Sequence, residues 1–395
     1  MLTPAEADAA IASALAPAGE ESLPLAACAG RVLRQTVRAE RDAPPFDRVT
    51  MDGIAIAHGP RRTFRIAGVQ AAGAPPIPLP DAGDCIEVMT GAVLPPGCDT
   101  VVPVERIRVA HGEATLEAGY EPAPWTFVHR QAADARAGAV LLAPGIRLGP
   151  PEIAIAAGAG LGRLAVASAA RIAVLTTGDE LVEPEAPLLP HQLRRSNAYG
   201  LGAALTLAGF PPETDRHLPD RIEVLRTAFA EALARQDVLV LSGGVSAGRF
   251  DRVPEALAAC GVRKVLHQVA QRPGRPLWFG VHAGGQAVFA LPGNPVSVLV
   301  CLVRYVLPAL AERTGLRRPP QPQAALAQDF EFNAPLSCFL PVTLEYDLEG
   351  RTLARPRPTG GSGDYVSLAG TDGFVELPRG PALHRAGLVV PFFRW

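Results

Sequence analysis

The period of apolar and polar positions changes several times along the chain, and the changes divide it. Thr3, then Pro4 and an alanine-rich run to about Leu15, predicts an N-terminal helix with Thr3 as its cap and proline at the first helical position. A mixed stretch over 31–40 is broken by APPFDRVTMDG at 43–53. From 63 to 117 short alternating runs (TFRIAGV, CIEVMTG, TVVPVERIRV, ATLEA) are separated by Gly and Pro, which predicts an all-β unit. Helical character returns near Ala132, and LGPPE at 148–152 reads as a helix start. Because its two flanks share this character, the β-rich block reads as an insertion between two halves of one helical domain.

From 169 onward the texture is different. Apolar runs at 171–176, 237–241 and 286–291 read as buried parallel-type strands, each entering a polar, glycine-bearing loop and then a helix. The helices are expected at 197–210, at 221–235 with Asp220 as cap, from about Val253, and from 295 to 310. Strand, loop and helix repeated in this way predict a doubly wound α/β domain. RRPPQP at 317–322 is a linker by composition, and the remainder of the chain reads as a second small β domain. The expected organisation is a helical domain from 1–41 and 135–167, a β-rich insertion at 42–134, an α/β domain at 168–317 and a C-terminal β domain at 318–395.

Composition narrows the class. A chain of 395 residues allows roughly two to four domains. Its 48 % hydrophobic and 19 % charged residues exclude wholesale disorder. A net charge of −2 without a block of like charge excludes binding to nucleic acid or membrane surfaces by bulk electrostatics. Every basic residue except Lys264 is arginine, a chain-wide bias that discounts any single arginine as a signal. Six scattered cysteines without a close CxxC pair point to buried, reduced thiols. The most apolar stretch, 288–310, holds Pro292, Gly293, Asn294, Pro295 and Arg304, which a lipid-facing helix accommodates poorly. With no basic leader at the start, a soluble cytoplasmic protein is expected.

In an open α/β sheet, ligands bind beyond the carboxyl ends of the strands. Here those loops are TTGDE at 176–180, with Glu180; SGGVS at 242–246, with Ser242, Gly243, Gly244 and Ser246; and LPGNPVS at 291–297, with Pro292, Asn294 and Ser297. Asp251 follows the second loop. One such loop is ordinary turn chemistry; hydroxyls, bare amides and carboxylates at three strand ends point to a phosphate-bearing ligand with a divalent cation. QRPGRP at 271–276 holds Arg272 and Arg275 three residues apart, a pair of planar forks suited to an oxyanion. Asp52 in MDG and Thr90 in MTG pass locally for turn residues, and no histidine has metal-ligand spacing.

Taken in order, PPFDRVTMDG, MTGAVLPPGCDTVVPVE, TTGDEL, SGGVSAGRFD, RPGRP and LPGNPVS resemble the molybdopterin molybdenumtransferase family, the bacterial MoeA type also found as the gephyrin E domain. The resemblance covers essentially the whole chain. It implies a multidomain α/β plus β subunit, with a C-terminal β-barrel, that forms a homodimer with shared active sites. The implied reaction inserts molybdenum from molybdate into adenylylated molybdopterin, using Mg²⁺ and releasing AMP and molybdenum cofactor.

By the same resemblance, Asp52 and Thr90 act across the dimer interface, and Glu180, Asp220 and Asp251 form the acidic set around pterin, Mg²⁺ and adenylate. Asp134, with Arg130 nearby, belongs to a substrate-binding segment; Arg272, Arg275 and Ser297 fall on molybdate-binding positions, and Ser362 comes from the last domain. A molybdopterin-adenylylating enzyme and molybdoenzyme maturation proteins are implied as partners.

Four segments depart from the family pattern. Val49-Thr50 replaces a Ser-Ala pair, Ala132-Ala133-Asp134 replaces Gly-Glu-Asp, and Arg272 and Arg275 replace two lysines. Pro341 stands where the family has an anion-binding arginine, removing a charge and a donor. A non-catalytic molybdopterin-binding paralogue acting as carrier is therefore the alternative to an insertase, and a gephyrin-like scaffold is a third reading.

Overall fold

The computed structural model describes residues 1–245, 252–380 and 382–395. Its α/β unit is a six-stranded sheet in the order Thr214–Leu218, Ile172–Thr177, Val238–Ser242, Ala287–Leu291, Trp278–His282, Val262–His267. The pairings among the first four strands are parallel, and the last two pairings are antiparallel. Ile172–Thr177 and Val238–Ser242 are buried at every position, the pattern of strands covered by helices on both faces. On one face Val174, Val240 and Phe289 pack with Leu201 and Val298; on the other Leu175 and Leu241 pack with Phe229 and Leu257. The chain places its second and third parallel strands on opposite sides of Ile172–Thr177. The topological switch point therefore lies between the carboxyl ends of Ile172–Thr177 and Val238–Ser242.

Three of these strands escape the sequence reading. Thr214–Leu218 is polar and largely exposed at the sheet edge, so it has no apolar run. Val262–His267 and Trp278–His282 pair antiparallel through a bulge and carry mixed burial. The expected last helix runs from Pro295 to Arg313 and is long and apolar enough to cross a membrane, but most of it is buried within the fold. Its middle, Leu302–Val306, is a π-helical turn.

The predicted first helix forms as Pro4–Ala14, with a capping box between Thr3 and Glu6. Its apolar side, Ala7 and Ile11, is buried in the α/β core with Leu266, Val269 and Leu310. The rest of the flanking sequence is less helical than its alanine content suggests. Glu20–Pro24 pairs with Arg163–Ala167, Val37–Arg38 pairs with Val140–Leu142, and the one α-helix here is Pro150–Gly158.

Between these flanks a second six-stranded sheet runs Thr100–Pro103, Gly53–Ile56, Asp84–Val88, Thr63–Gln70, Glu113–Leu116, Ile107–Ala110, with an apolar cluster on each side. The C-terminal strands Ser337–Tyr346, Thr352–Pro356, Gln323–Leu326, Val389–Arg394 and Gly373–Leu377 close into a barrel, the last pairing back onto the first. A sixth segment, Gln271–Arg272, pairs in parallel with Ser337 and Cys338. Backbone pairing therefore joins the barrel directly to the arginine loop.

Candidate functional site

A cleft of about 760 Å³ opens at the switch point, lined by Thr177, Glu180, Asp220, Ser242, Gly243 and Asn294 among others. Its floor depends on two glycines. Gly243 and Gly244 have φ of +102° and +65°, and a Cβ on Gly243 would fall 2.6 Å from the Thr177 carbonyl oxygen. Only glycine allows the turn to lie this close to the neighbouring strand end. Asn197, not singled out from the sequence, braces the cleft by donating to Ser242 Oγ at 3.0 Å and to the Gly293 carbonyl at 2.7 Å. The signal was available: Ser196-Asn197 opens the helix that follows the first loop. Arg195, also missed, is buried and donates to Thr176 Oγ1 at 2.9 Å, Glu183 Oε1 at 2.7 Å and Asp215.

Asp220 corrects one expectation. The helix Ile222–Arg235 takes Arg221 as its N-cap and has no side-chain cap bond, while Asp220 lines the cleft instead. Burial pushes the Asp220 carboxyl above its usual range, reinforced by Asp179 and Glu180. Thr177 Oγ1 is itself buried without a hydrogen-bond partner. Among the described residues no group of three or more His, Cys, Asp or Glu is placed to hold a metal ion.

A second cleft of about 560 Å³ shares Pro276, Pro292 and Asn294 with the first. It brings together Arg272, Arg275, Ser297 and Ser362, has no carboxylate in its lining among the described residues, and is walled by Phe330, Phe332 and Phe339. An anion entering it meets two exposed guanidiniums beside an apolar wall. Asn294 Nδ2 donates to Ser362 Oγ at 2.7 Å, and the Val296 N–H donates to the Ser362 carbonyl at 3.1 Å. The barrel loop is thus tied to the junction of both clefts. Pro341 also lines this cleft, and its carbonyl accepts from the Arg357 N–H at 2.8 Å. Arg357 itself is not part of the lining, so among the described residues Arg272 and Arg275 are its cations.

The remaining described candidates line neither cleft. Asp52 and Thr90 are exposed and hydrogen-bonded to each other on the inserted β unit, and the Thr90 N–H leads in holding the Asp52 carboxyl below its usual range. Arg130 donates to Asp47 at 3.1 Å and lies 3.5 Å over the Trp125 ring. Asp134 pairs with His129 Nε2 at 2.9 Å, not with Arg130. Asp47, which also accepts from the Gln131 N–H, and His129 were not picked out from the sequence. Ser246 and Asp251 lie outside the described residues.

Comparison with known proteins covers almost all of this architecture. Residues 2–160 match the MoeA N-terminal region (domain I and II), 173–312 a probable molybdopterin binding domain, and 323–395 the MoeA C-terminal region (domain IV). A molybdopterin molybdenumtransferase of Synechocystis is 41 % identical over 382 residues, 95 % of each chain. One from Synechococcus elongatus is 34 % identical, covering 95 % of this chain and 94 % of its own. The crystal structure of a molybdopterin biosynthesis MoeA protein from Pyrococcus horikosii superposes with a TM-score of 0.81 at 29 % identity, over 100 % of this chain and 99 % of that one. On these matches, which include the loops that build both clefts, the chain belongs to the MoeA family of molybdopterin molybdenumtransferases.

Proposed function

We propose that this chain transfers molybdenum from molybdate to adenylylated molybdopterin, completing the molybdenum cofactor and releasing AMP. The observation that carries this reading is the meeting of two clefts at Asn294: one is floored by glycine amides and acids, the other holds two guanidiniums and, among the described residues, no carboxylate. An adenylylated pterin placed in the first presents its dithiolene toward an oxyanion held in the second. The carrier reading is not favoured, because relatives alike over 95 % of their length are named as transferases.

Roles follow from position. Arg272 and Arg275 neutralise the oxyanion, and Ser297 and Ser362 offer hydroxyls to its oxygens. The Gly243–Gly244 turn lets phosphate oxygens approach backbone. Glu180 and Asp220 suit Mg²⁺: they are hard oxygen donors, and the Glu180 charge raises the cost of charging Asp220. Bound there, Mg²⁺ would supply neutralising charge to the phosphate oxygens. Asp251 is proposed as a third member of this set.

Asp52 and Thr90 lie outside both clefts of their own chain, which supports a homodimer in which each completes the partner's site. Asp134 is held by His129 and Arg130 by Asp47. Six free thiols, five of them buried, support a reducing cytoplasmic setting. The adenylylating enzyme that supplies the substrate and the maturation proteins that accept the product complete the proposed partners.

The test is reconstitution. Purified protein given adenylylated molybdopterin, Mg²⁺ and molybdate should form active cofactor, and the double variant R272A/R275A should not. Cofactor formation by the double variant at wild-type rate would defeat the assignment of the second cleft.

A further inference from the structure

We propose that Gln271, Tyr305 and Cys301 form a buried layer that sets the shape of the arginine loop 272–275, making Gln271 and Tyr305 positioning residues for the oxyanion. The inference rests on reading that loop as the molybdate site. Gln271 is 0 % exposed and Tyr305 1 %, yet both carry polar groups that burial makes costly to leave unpaired. They pair with each other and with the loop. The Tyr305 hydroxyl donates to Gln271 Oε1, and Gln271 Nε2 donates to the Pro273 carbonyl at 3.2 Å and to Cys301 Sγ at 3.7 Å. The Cys301 thiol donates onward to the Gly274 carbonyl at 3.6 Å. Burial raises the tyrosine pKa, so the hydroxyl stays protonated and remains a donor.

The loop rests on this layer with no room to spare. Gly274 has φ +89°, and a Cβ there would fall 2.5 Å from Cys301 Sγ and 2.7 Å from Gln271 Nε2. Two consecutive loop carbonyls are thus held by buried side chains while the flanking Arg272 and Arg275 face the cleft. Tyr305 is set by the π-helical turn Leu302–Val306, a distortion of the kind that recurs at functional sites. The adjacent Arg304 fixes that turn, donating at 2.8 Å both to Asp8 on the first helix and to Glu376 on the barrel. The spacing of the two arginines is therefore tied to the seam between three parts of the chain.

The test compares Tyr305→Phe, which keeps the ring and removes the donor, with Gln271→Met as a second variant. Two readouts are taken: hydrogen exchange at the amides of Arg272, Gly274 and Arg275, and the separate KM values for molybdate and pterin. The expected result is faster exchange at those amides and a molybdate KM about tenfold higher, equivalent to about 1.4 kcal/mol, with kcat and pterin KM within about twofold of wild type. Unchanged exchange in both variants overturns the proposal. So does faster exchange with an unchanged molybdate KM, or a parallel rise in both KM values, which would mark general loosening. A wild-type protein with no molybdate dependence would instead defeat the molybdate reading, while the exchange data would still decide whether the layer holds the loop.

Discussion

One oxygen of Asp52 accepts both hydrogen bonds that Thr90 offers, from the backbone N–H at 2.6 Å and from the hydroxyl at 2.7 Å. The second carboxylate oxygen accepts no hydrogen bond among the described residues, and the side chain is exposed. Asp52→Asn should therefore remove most activity while leaving the unfolding midpoint nearly unchanged, because the carboxylate is exposed. Thr90→Ala should lose less, since the backbone donor survives.

If two chains share each site, inactive variants should complement. Mixing D52N subunits with R272A/R275A subunits under exchange leaves one intact site in each heterodimer. Activity should recover to about a quarter of wild type, from random pairing of two subunit types in a two-fold dimer. No recovery, with heterodimers verified by mass, would place Asp52 and the arginine loop in the same chain's site.

The pH response of the acidic set has a defined sign. Asp220 has a folded pKa above the usual aspartate range, chiefly through burial, so the folded protein binds a proton there more readily than the unfolded chain. Its contribution to stability is greatest at low pH and declines as pH rises through the interval between the two values. Mg²⁺ competes with that proton, so its affinity should fall with acidification through the raised pKa. Calorimetric Mg²⁺ titrations across the acid range check the direction.

Pro341 leaves the oxyanion cleft with two cations. Pro341→Arg adds a third at a position already in its wall, and restores a backbone N–H in the strand Ser337–Tyr346. The molybdate KM should fall several-fold while the KM for pterin stays level. Steady-state titration of the two substrates separates these effects.

Much of the fold was legible because buried parallel strands write themselves as continuous apolar runs. Ile172–Thr177, Val238–Ser242 and Ala287–Leu291 all stand within about one residue of the expected strands. What failed was edge structure and capping. The exposed strand Thr214–Leu218 has no periodic signal, and an aspartate before a helix reads as a cap whether or not its side chain turns back. The loops of the two clefts were visible as glycine and hydroxyl clusters. Their braces were less so: Asn197 was marked only by its place at a helix start, while Arg195, Gln271 and Tyr305 act through contacts between separate segments, which local pattern does not encode.

The central claim is that pterin and oxyanion react across the junction at Asn294. The most direct test is the ratio of AMP released to molybdenum cofactor formed, followed as molybdate is titrated with adenylylated molybdopterin and Mg²⁺ held saturating. A one-to-one ratio, with both products rising together and saturating in molybdate, is predicted. AMP release independent of molybdate, or tight pterin binding without either product at any molybdate or tungstate concentration, would contradict it.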